Sequence, residues 1–234
     1  MSVHVLNPGG ASGGGSVGQL STIVTRAQAL LGSTLDTPLG SDFDNDQWPV
    51  IATGGTGSTN MNTTARGGVI TMTSGATAGG TAQMKPHGGT ASHVSNPAGT
   101  RWYYMARAAV TTAIDAQTTA NFGILNNGGN PNALIGVFGS VSTVNFTGHV
   151  VTNGGVTTNV TTVGVAIDTN YHTFEIWCDT VNVTFAVDGT QLGSTPVANI
   201  GTNSAFIGPF VGNGATAATR SIDIDRTYVV VASN

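Results

Sequence analysis

Lysine, glutamate and cysteine are almost missing from this chain. Its 234 residues hold one of each, and only 8% are charged, against about 25% in ordinary globular domains. The seven cations are scattered along the sequence and outnumbered by eleven anions. They supply no basic stripe to neutralise phosphates, which excludes nucleic-acid binding as a role. A net charge of −4 is too small to keep the chain unfolded by repulsion. No run approaches the roughly 18 apolar residues of a transmembrane helix, so no membrane partner is expected. Residues 1–18 lack the basic and apolar stretches of a secretory signal. The single cysteine, Cys178, permits no intrachain disulfide. It lies in an alternating apolar segment and is expected to be a buried, inert thiol. The fold must therefore rest on packing and ladder hydrogen bonds.

Glycine, threonine and asparagine fill the gap, with 34 Gly, 36 Thr and 19 Asn. The apolar fraction of 39% is enough for a core, and one β-sandwich commonly takes roughly 200–250 residues. Residues 1–18 read as a flexible arm, because Asn7-Pro8-Gly9-Gly10 and Gly13-Gly14-Gly15-Ser16 crowd flexible residues together. Residues 19–33 carry the one helical pattern. Leu20, Ile23, Val24, Ala27, Leu30 and Leu31 recur on one face of a 3.6 period, with Ser21 or Thr22 able to cap the start and Gly32 able to end it. So short a helix is marginal alone, and its stripe must dock on the following domain or on another subunit.

From about Phe43 to Val231 the period is two. His172, Phe174, Ile176 and Cys178 share one face of a strand, while Tyr171, Thr173, Glu175 and Trp177 share the other. Asp179-Thr180 reads as a turn, Val181 to Val187 as the next strand, and Asp188-Gly189 as a hairpin turn. Further strands are predicted over 68–73, 101–110, 121–125, 134–138, 144–152, 160–165, 204–210 and 222–231. Strand–helix alternation is missing, which disfavours a parallel α/β fold. The pattern predicts an all-β, two-sheet antiparallel sandwich over residues 42–232, preceded by the Gly-rich arm and one short helix. Exposed strand edges are usually blunted by Lys, charge or Pro, and one Lys cannot do this. Edges covered by neighbouring copies or by loops are expected, which favours an assembled state.

Tyr171-His172-Thr173-Phe174-Glu175-Ile176, followed by Val183-Thr184-Phe185-Ala186-Val187-Asp188-Gly189, resembles the paired strands of concanavalin A-like (laminin-G-like) jelly rolls. Phe43 to Trp48 resembles their opening strand, Gly67 to Met72 the glycine–glycine–apolar strand after it, and Ile222 to Val231 their closing strand. The resemblance spans roughly residues 42–232 and implies the jelly-roll fold. It implies no activity, since the fold serves lectins, glycosidases, adhesion modules and phage virion proteins. In style and composition, Gly/Thr/Asn-rich and Lys-poor behind a flexible arm, the chain is most similar to phage structural proteins.

Few residues offer chemistry. Glycosidases of this fold place Glu-x-Asp-x-x-Glu on one strand to flank the scissile bond with carboxylates. Here Glu175 stands alone, so no catalytic residue is expected and Glu175 reads as an outward polar residue. Two Gly-x-Ser-x-Gly matches, at Ser12 and Ser16, lie in the arm rather than on a strand-to-helix elbow. Asp42, Asp44 and Asp46 are a calcium candidate, but Gln47 and Thr53 stand where an EF-hand needs Gly and Glu; a solvated turn is the favoured reading and no cofactor is expected. His87 and His93 lack the Cys or carboxylate companions of a zinc site. Trp102, Tyr103 and Tyr104 must alternate between sheet faces. Trp102, Tyr104 and Trp177 are candidates for stacking on a glycan or a partner, weighed against packing within the sandwich.

The expected function is that of a non-enzymatic phage virion protein, a capsid decoration or cement subunit on the capsid surface. Its partner would be the major capsid protein or another virion protein, and its own state a homotrimer. Val3, Val5, Leu6 and the helix stripe Leu20, Ile23, Val24, Ala27, Leu30 and Leu31 would bury on the partner as the arm orders. The alternative is a lectin-like, carbohydrate-binding module of a phage tail or adhesin that recognises host glycans.

Overall fold

In the computed structural model, residues 2–6, 50–53, 69–84, 98–112, 119–126, 134–140, 145–151, 157–200, 205–215 and 217–231 are described. They form fourteen strands: β1 (Ser2–Leu6), β2 (Val50–Thr53), β3 (Ile70–Thr73), β4 (Thr81–Met84), β5 (Trp102–Val110), β6 (Thr119–Asn126), β7 (Leu134–Ser140), β8 (Asn145–Val151), β9 (Thr157–Ala166), β10 (His172–Cys178), β11 (Asn182–Val187), β12 (Thr190–Pro196), β13 (Ala205–Gly212) and β14 (Ser221–Val231). Among the described residues the only helical element is a 3₁₀ turn at Val197–Asn199.

Two seven-stranded antiparallel sheets face each other. Sheet A runs β1-β14-β5-β10-β11-β12, with β3 also paired to β14; sheet B runs β2-β4-β13-β6-β7-β8-β9. This is the jelly-roll sandwich that the period-two pattern implies. The Asp188-Gly189 turn joins β11 to β12 with both residues at positive φ, 50° and 79°, the backbone that matches the twist of a two-residue hairpin.

The alternation sorts side chains as the sequence demands. Trp102, Tyr104, Ala106, Ala108 and Val110 of β5, and Phe174, Ile176 and Cys178 of β10, point between the sheets; Phe122, Val137, Phe146 and Val150 meet them from sheet B. Phe122 stacks on Phe174 with ring centroids 4.0 Å apart. Phe146 meets Phe174 edge-on at 5.0 Å. Such pairs add about 0.5–1.5 kcal/mol beyond area burial. Cys178 is a buried free thiol, and burial raises its pKa. Gly148 is required by this packing: a Cβ there would lie 2.7 Å from the Phe185 ring.

Two irregularities have local causes. Pro209 lies in β13, which is flanked by β4 and β6. Pairing with β4 begins only at Phe210↔Gln83, while on the β6 side Pro209 stands opposite Phe122. The residue that cannot donate therefore sits where β4 no longer needs a donor. In β14 the register against β5 shifts between Ile224 and Arg226. Asp225 is the extra residue of this bulge, so Ile222, Ile224 and then Thr227 are buried.

Several expectations change. Residues 2–6, expected within a flexible arm, form β1 and pair with β14: Val3 opposite Val230, Val5 opposite Tyr228 and Leu6 opposite Thr227. Alternating Val-His-Val is strand sequence, and the glycines start only after it. Strands β2, β4 and β12 were not anticipated as such, being short or interrupted by polar residues. The helix stripe Leu20, Ile23, Val24, Ala27, Leu30 and Leu31, the acidic cluster Asp42, Asp44 and Asp46, and the opening strand expected at Phe43 to Trp48 lie outside the described residues.

Candidate functional site: the uncharged face of sheet B

Trp102 and Tyr104, candidates for stacking on a ligand, are 0% exposed and belong to the core. They share the inward parity of Ala106, Ala108 and Val110 and cannot reach a ligand. Burial also pushes the Tyr104 phenol well above its usual pKa. Trp177 is half-buried on the outward face of sheet A, opposite Tyr103 and Thr184. Glu175 does point outward, yet it is 3% exposed, and the Tyr103 hydroxyl donates to its Oε1 at 2.9 Å. It is thus a structural carboxylate rather than a solvated one.

Sheet A carries two further polar clusters. At the start of β10, His172 is held from both sides: Nδ1 lies 2.5 Å from Asp188 Oδ2 and Nε2 lies 2.9 Å from Asp168 Oδ1. Asp188 also accepts from the Thr173 amide at 2.8 Å, and Asp168 from the Asn170 amide at 2.6 Å. With a carboxylate on each ring nitrogen the imidazolium is favoured. The Asp188 hydrogen bond raises the His172 pKa most, with Asp168 adding to it against the effect of burial. Asp168 is lowered, first by the Asn170 amide and then by His172. Asp188 is lowered by His172 and the Thr173 amide, although its own burial opposes them. The cluster fastens the β9–β10 connection to the β11–β12 turn, which is a structural task.

On the outward face near the β14 bulge, Arg107 Nη1 donates to Asp225 Oδ2 at 2.7 Å. Its guanidinium lies 4.8 Å over the Tyr171 ring, and Thr71 donates to Asp223 at 2.6 Å. Burial, then Asp223 and Asp225, pushes the Tyr171 phenol up to about 12. Here the charges satisfy one another.

Sheet B differs in kind. None of its seven strands contains Asp, Glu, Lys or Arg, and His149 is their one ionisable residue. Its outward face is polar but neutral. Register places one row across five adjacent strands: Gln83 opposite Phe210, Phe210 opposite Asn121, Asn121 opposite Phe138, Phe138 opposite Thr147. The next row runs Gly208, Gly123, Gly136, His149 and Asn159. Three glycines thus stand side by side on β13, β6 and β7, and close packing accounts for the middle one, since a Cβ at Gly123 would fall 2.7 Å from Gly136 Cα and 2.8 Å from the core Ile176 Cδ1.

Asn121 is the centre of this face. It is 0% exposed, and neither its Oδ1 nor its Nδ2 has a hydrogen-bond partner. Its amide lies over Gly136, where a Cβ would fall 2.0 Å from Oδ1. Around it Gln83 is 9%, Phe210 7% and Thr147 7% exposed, and His149 is half-buried. A buried amide with both functions unmet costs about 1–3 kcal/mol, and such a group in a native fold calls for an explanation. No sequence motif flagged Asn121. It reads there as an ordinary outward residue between Ala120 and Phe122; the available signal was the lack of charge across all the surrounding strands.

No family model and no curated protein matches the sequence. Solved structures do match in fold. A protein of unknown function from Shewanella oneidensis MR-1 superposes with a TM-score of 0.58 at 16% identity, over 84% of this chain and 83% of that one. An endo-1,3-beta-glucanase from Streptomyces sioyaensis gives 0.53 at 15% identity, over 85% and 94%. A botulinum neurotoxin type C structure, whose cell entry depends on two ganglioside molecules, gives 0.50 at 9% identity, over 78% and 42%. These likenesses support a concanavalin A-like sandwich.

Proposed function

We propose that the chain is a non-catalytic carbohydrate-binding module whose ligand lies on the outward face of sheet B. The observation that carries this reading is Asn121, an amide of outward strand parity with an unused acceptor and unused donors; it is 0% exposed in the free chain, so a saccharide bonds it only once the side chains over it have parted. A sugar hydroxyl both donates and accepts, so one pair of neighbouring hydroxyls can satisfy both ends of that amide. Gln83 and Thr147 add further uncharged hydrogen-bonding groups, and Phe210 adds apolar surface. An endo-1,3-beta-glucanase and a neurotoxin whose cell entry depends on gangliosides are among the fold neighbours, which lends support. Hydrolysis by a carboxylate pair needs two acids flanking the bond, and the described strands of this sheet offer none. The test is calorimetric titration against a saccharide panel, with Asn121→Ala alongside. At least one saccharide should bind, and Asn121→Ala should weaken it at least about tenfold while still melting cooperatively. No binding by any saccharide, or equal binding by Asn121→Ala, would overturn the reading.

A further inference from the structure

The outward face of sheet A is a second buried layer. On β5 the outward side chains Tyr103, Met105 and Ala109 are 1–2% exposed, on β10 Glu175 is 3%, and on β11 Ala186 is 1%. Register sets them together, with Glu175 between Met105 and Ala186, and Trp177 between Tyr103 and Thr184. Sheet B cannot cover them, because it packs on the other side, against Trp102, Tyr104, Phe174 and Ile176. A sheet face that meets water carries exposed polar side chains. A Tyr and a Met at 1–2% exposure instead require a layer above them. Among the described residues no strand lies over this face. The burial is that of a single chain, so the layer comes from elsewhere in the same chain.

We infer that residues 19–33 dock on the outward face of sheet A, burying the stripe Leu20, Ile23, Val24, Ala27, Leu30 and Leu31 within the chain rather than on a partner. Residues 7–49 are the longest stretch between two described strands. They leave from Leu6 of β1, at the edge of sheet A beside β14, and end at Val50 of β2 in sheet B. Residues 7–18 can extend to about 40 Å, which reaches any point on this face. A helix over 19–33 is about 22 Å long, and β14, β5, β10 and β11 together are about 14 Å across. The stretches 54–68 and 85–97 are also long enough to cross, but their only large apolar residues are Met61 and Val94. The helical stripe alone matches the apolar patch of Met105, Ala109, Ala186 and the Tyr103 ring. Docking there supplies the packing that so short a helix needs. This inference is independent of the glycan reading, which concerns the opposite sheet.

The experiment follows sulfoxide formation at Met105 in the full chain by mass spectrometry after dilute peroxide. Met72, 0% exposed inside the sandwich, reports whether the fold holds. Both methionines should resist in the natural chain. In an Ile23→Asp/Leu30→Asp variant Met105 should oxidise at least about tenfold faster while Met72 keeps its rate. Free oxidation of Met105 in the natural chain, or unchanged protection in the folded variant, overturns the inference. A cross-link decides the matter if the variant unfolds and Met72 reacts as well. Photoreactive benzoylphenylalanine replaces Trp177, aromatic for aromatic on the same face, in an otherwise natural chain. It should couple within the chain to a peptide from residues 19–33. Coupling instead to 54–68, to 85–97 or to a second copy overturns the inference.

Discussion

Replacing Asn121 by leucine should stabilise the ligand-free protein and abolish saccharide binding. The side chain is 0% exposed, and both Oδ1 and Nδ2 lack partners. Folding therefore strips water from a donor and an acceptor and returns nothing. Leucine is of similar shape, its two methyls taking the places of the amide oxygen and nitrogen, and Gly136 leaves the room beneath them. Removing one unsatisfied amide is worth about 1–3 kcal/mol, and leucine adds apolar burial in place of a desolvated dipole. For a domain of this size 1 kcal/mol moves Tm by about 2–4 °C, so Asn121→Leu should melt roughly 2–12 °C higher. Differential scanning calorimetry without ligand, followed by saccharide titration, reads both effects. Stability lost at a site while function is gained is the usual trade at binding groups. A variant that melts lower refutes the claim that the amide is unsatisfied. One that melts higher yet binds normally refutes its role in recognition.

Other positions give independent checks. Gly136→Ala would put a Cβ 2.0 Å from Asn121 Oδ1, an overpacking that costs about 1–3 kcal/mol. Most of that cost should vanish in an Asn121→Ala background, and a double-mutant cycle by denaturant unfolding should show coupling of at least about 1 kcal/mol. Tyr103→Phe removes a donor from the buried Glu175 carboxylate and should cost about 1–3 kcal/mol in the same assay. The His172 clamp predicts a bounded pH window. Because His172 is raised from its ordinary 6.5, its contribution is complete below that value and is lost as pH rises through the higher folded pKa. Because Asp168 and Asp188 are lowered from 3.8, theirs is complete above 3.8 and is lost as pH falls through the lower folded values. The stability difference between the natural chain and His172→Gln should peak between about pH 4 and 6.5 and shrink on both sides. A difference flat from pH 3 to 9 would mean that the clamp carries no charge.

The sandwich was legible because one side of each strand faces a core. Alternation from Tyr171 to Val187 gave β10 and β11 to within a residue, and Asp188-Gly189 gave the hairpin turn that follows β11. Where alternation was hidden, the reading failed. In β12 the exposed Thr190, Gln191, Ser194 and Pro196 leave too little apolar rhythm, and β1 is five residues beside a glycine run. The aromatic triplet showed the limit of parity: it fixes that Tyr103 opposes Trp102 and Tyr104, but both faces of β5 turn out to be buried. The candidate site was almost invisible. Asn121 gains its significance from what faces it across neighbouring strands, and register between β6, β7 and β13 is a property of the folded chain. The His172 clamp was half visible: the Tyr-His-Thr-Phe and Val-Asp-Gly segments were singled out, but Asp168 was not.

The most direct measurement follows the side-chain amide of Asn121 by ¹⁵N-resolved NMR as a neutral oligosaccharide is added to saturation. The NH₂ pair of Asn121 should move among the most of all side-chain amides, with Gln83 and the His149 ring moving along the same titration curve. Shifts confined to the sheet A groups around Arg107, Tyr171 and Asp225, with Asn121 unmoved at saturation, would contradict the account.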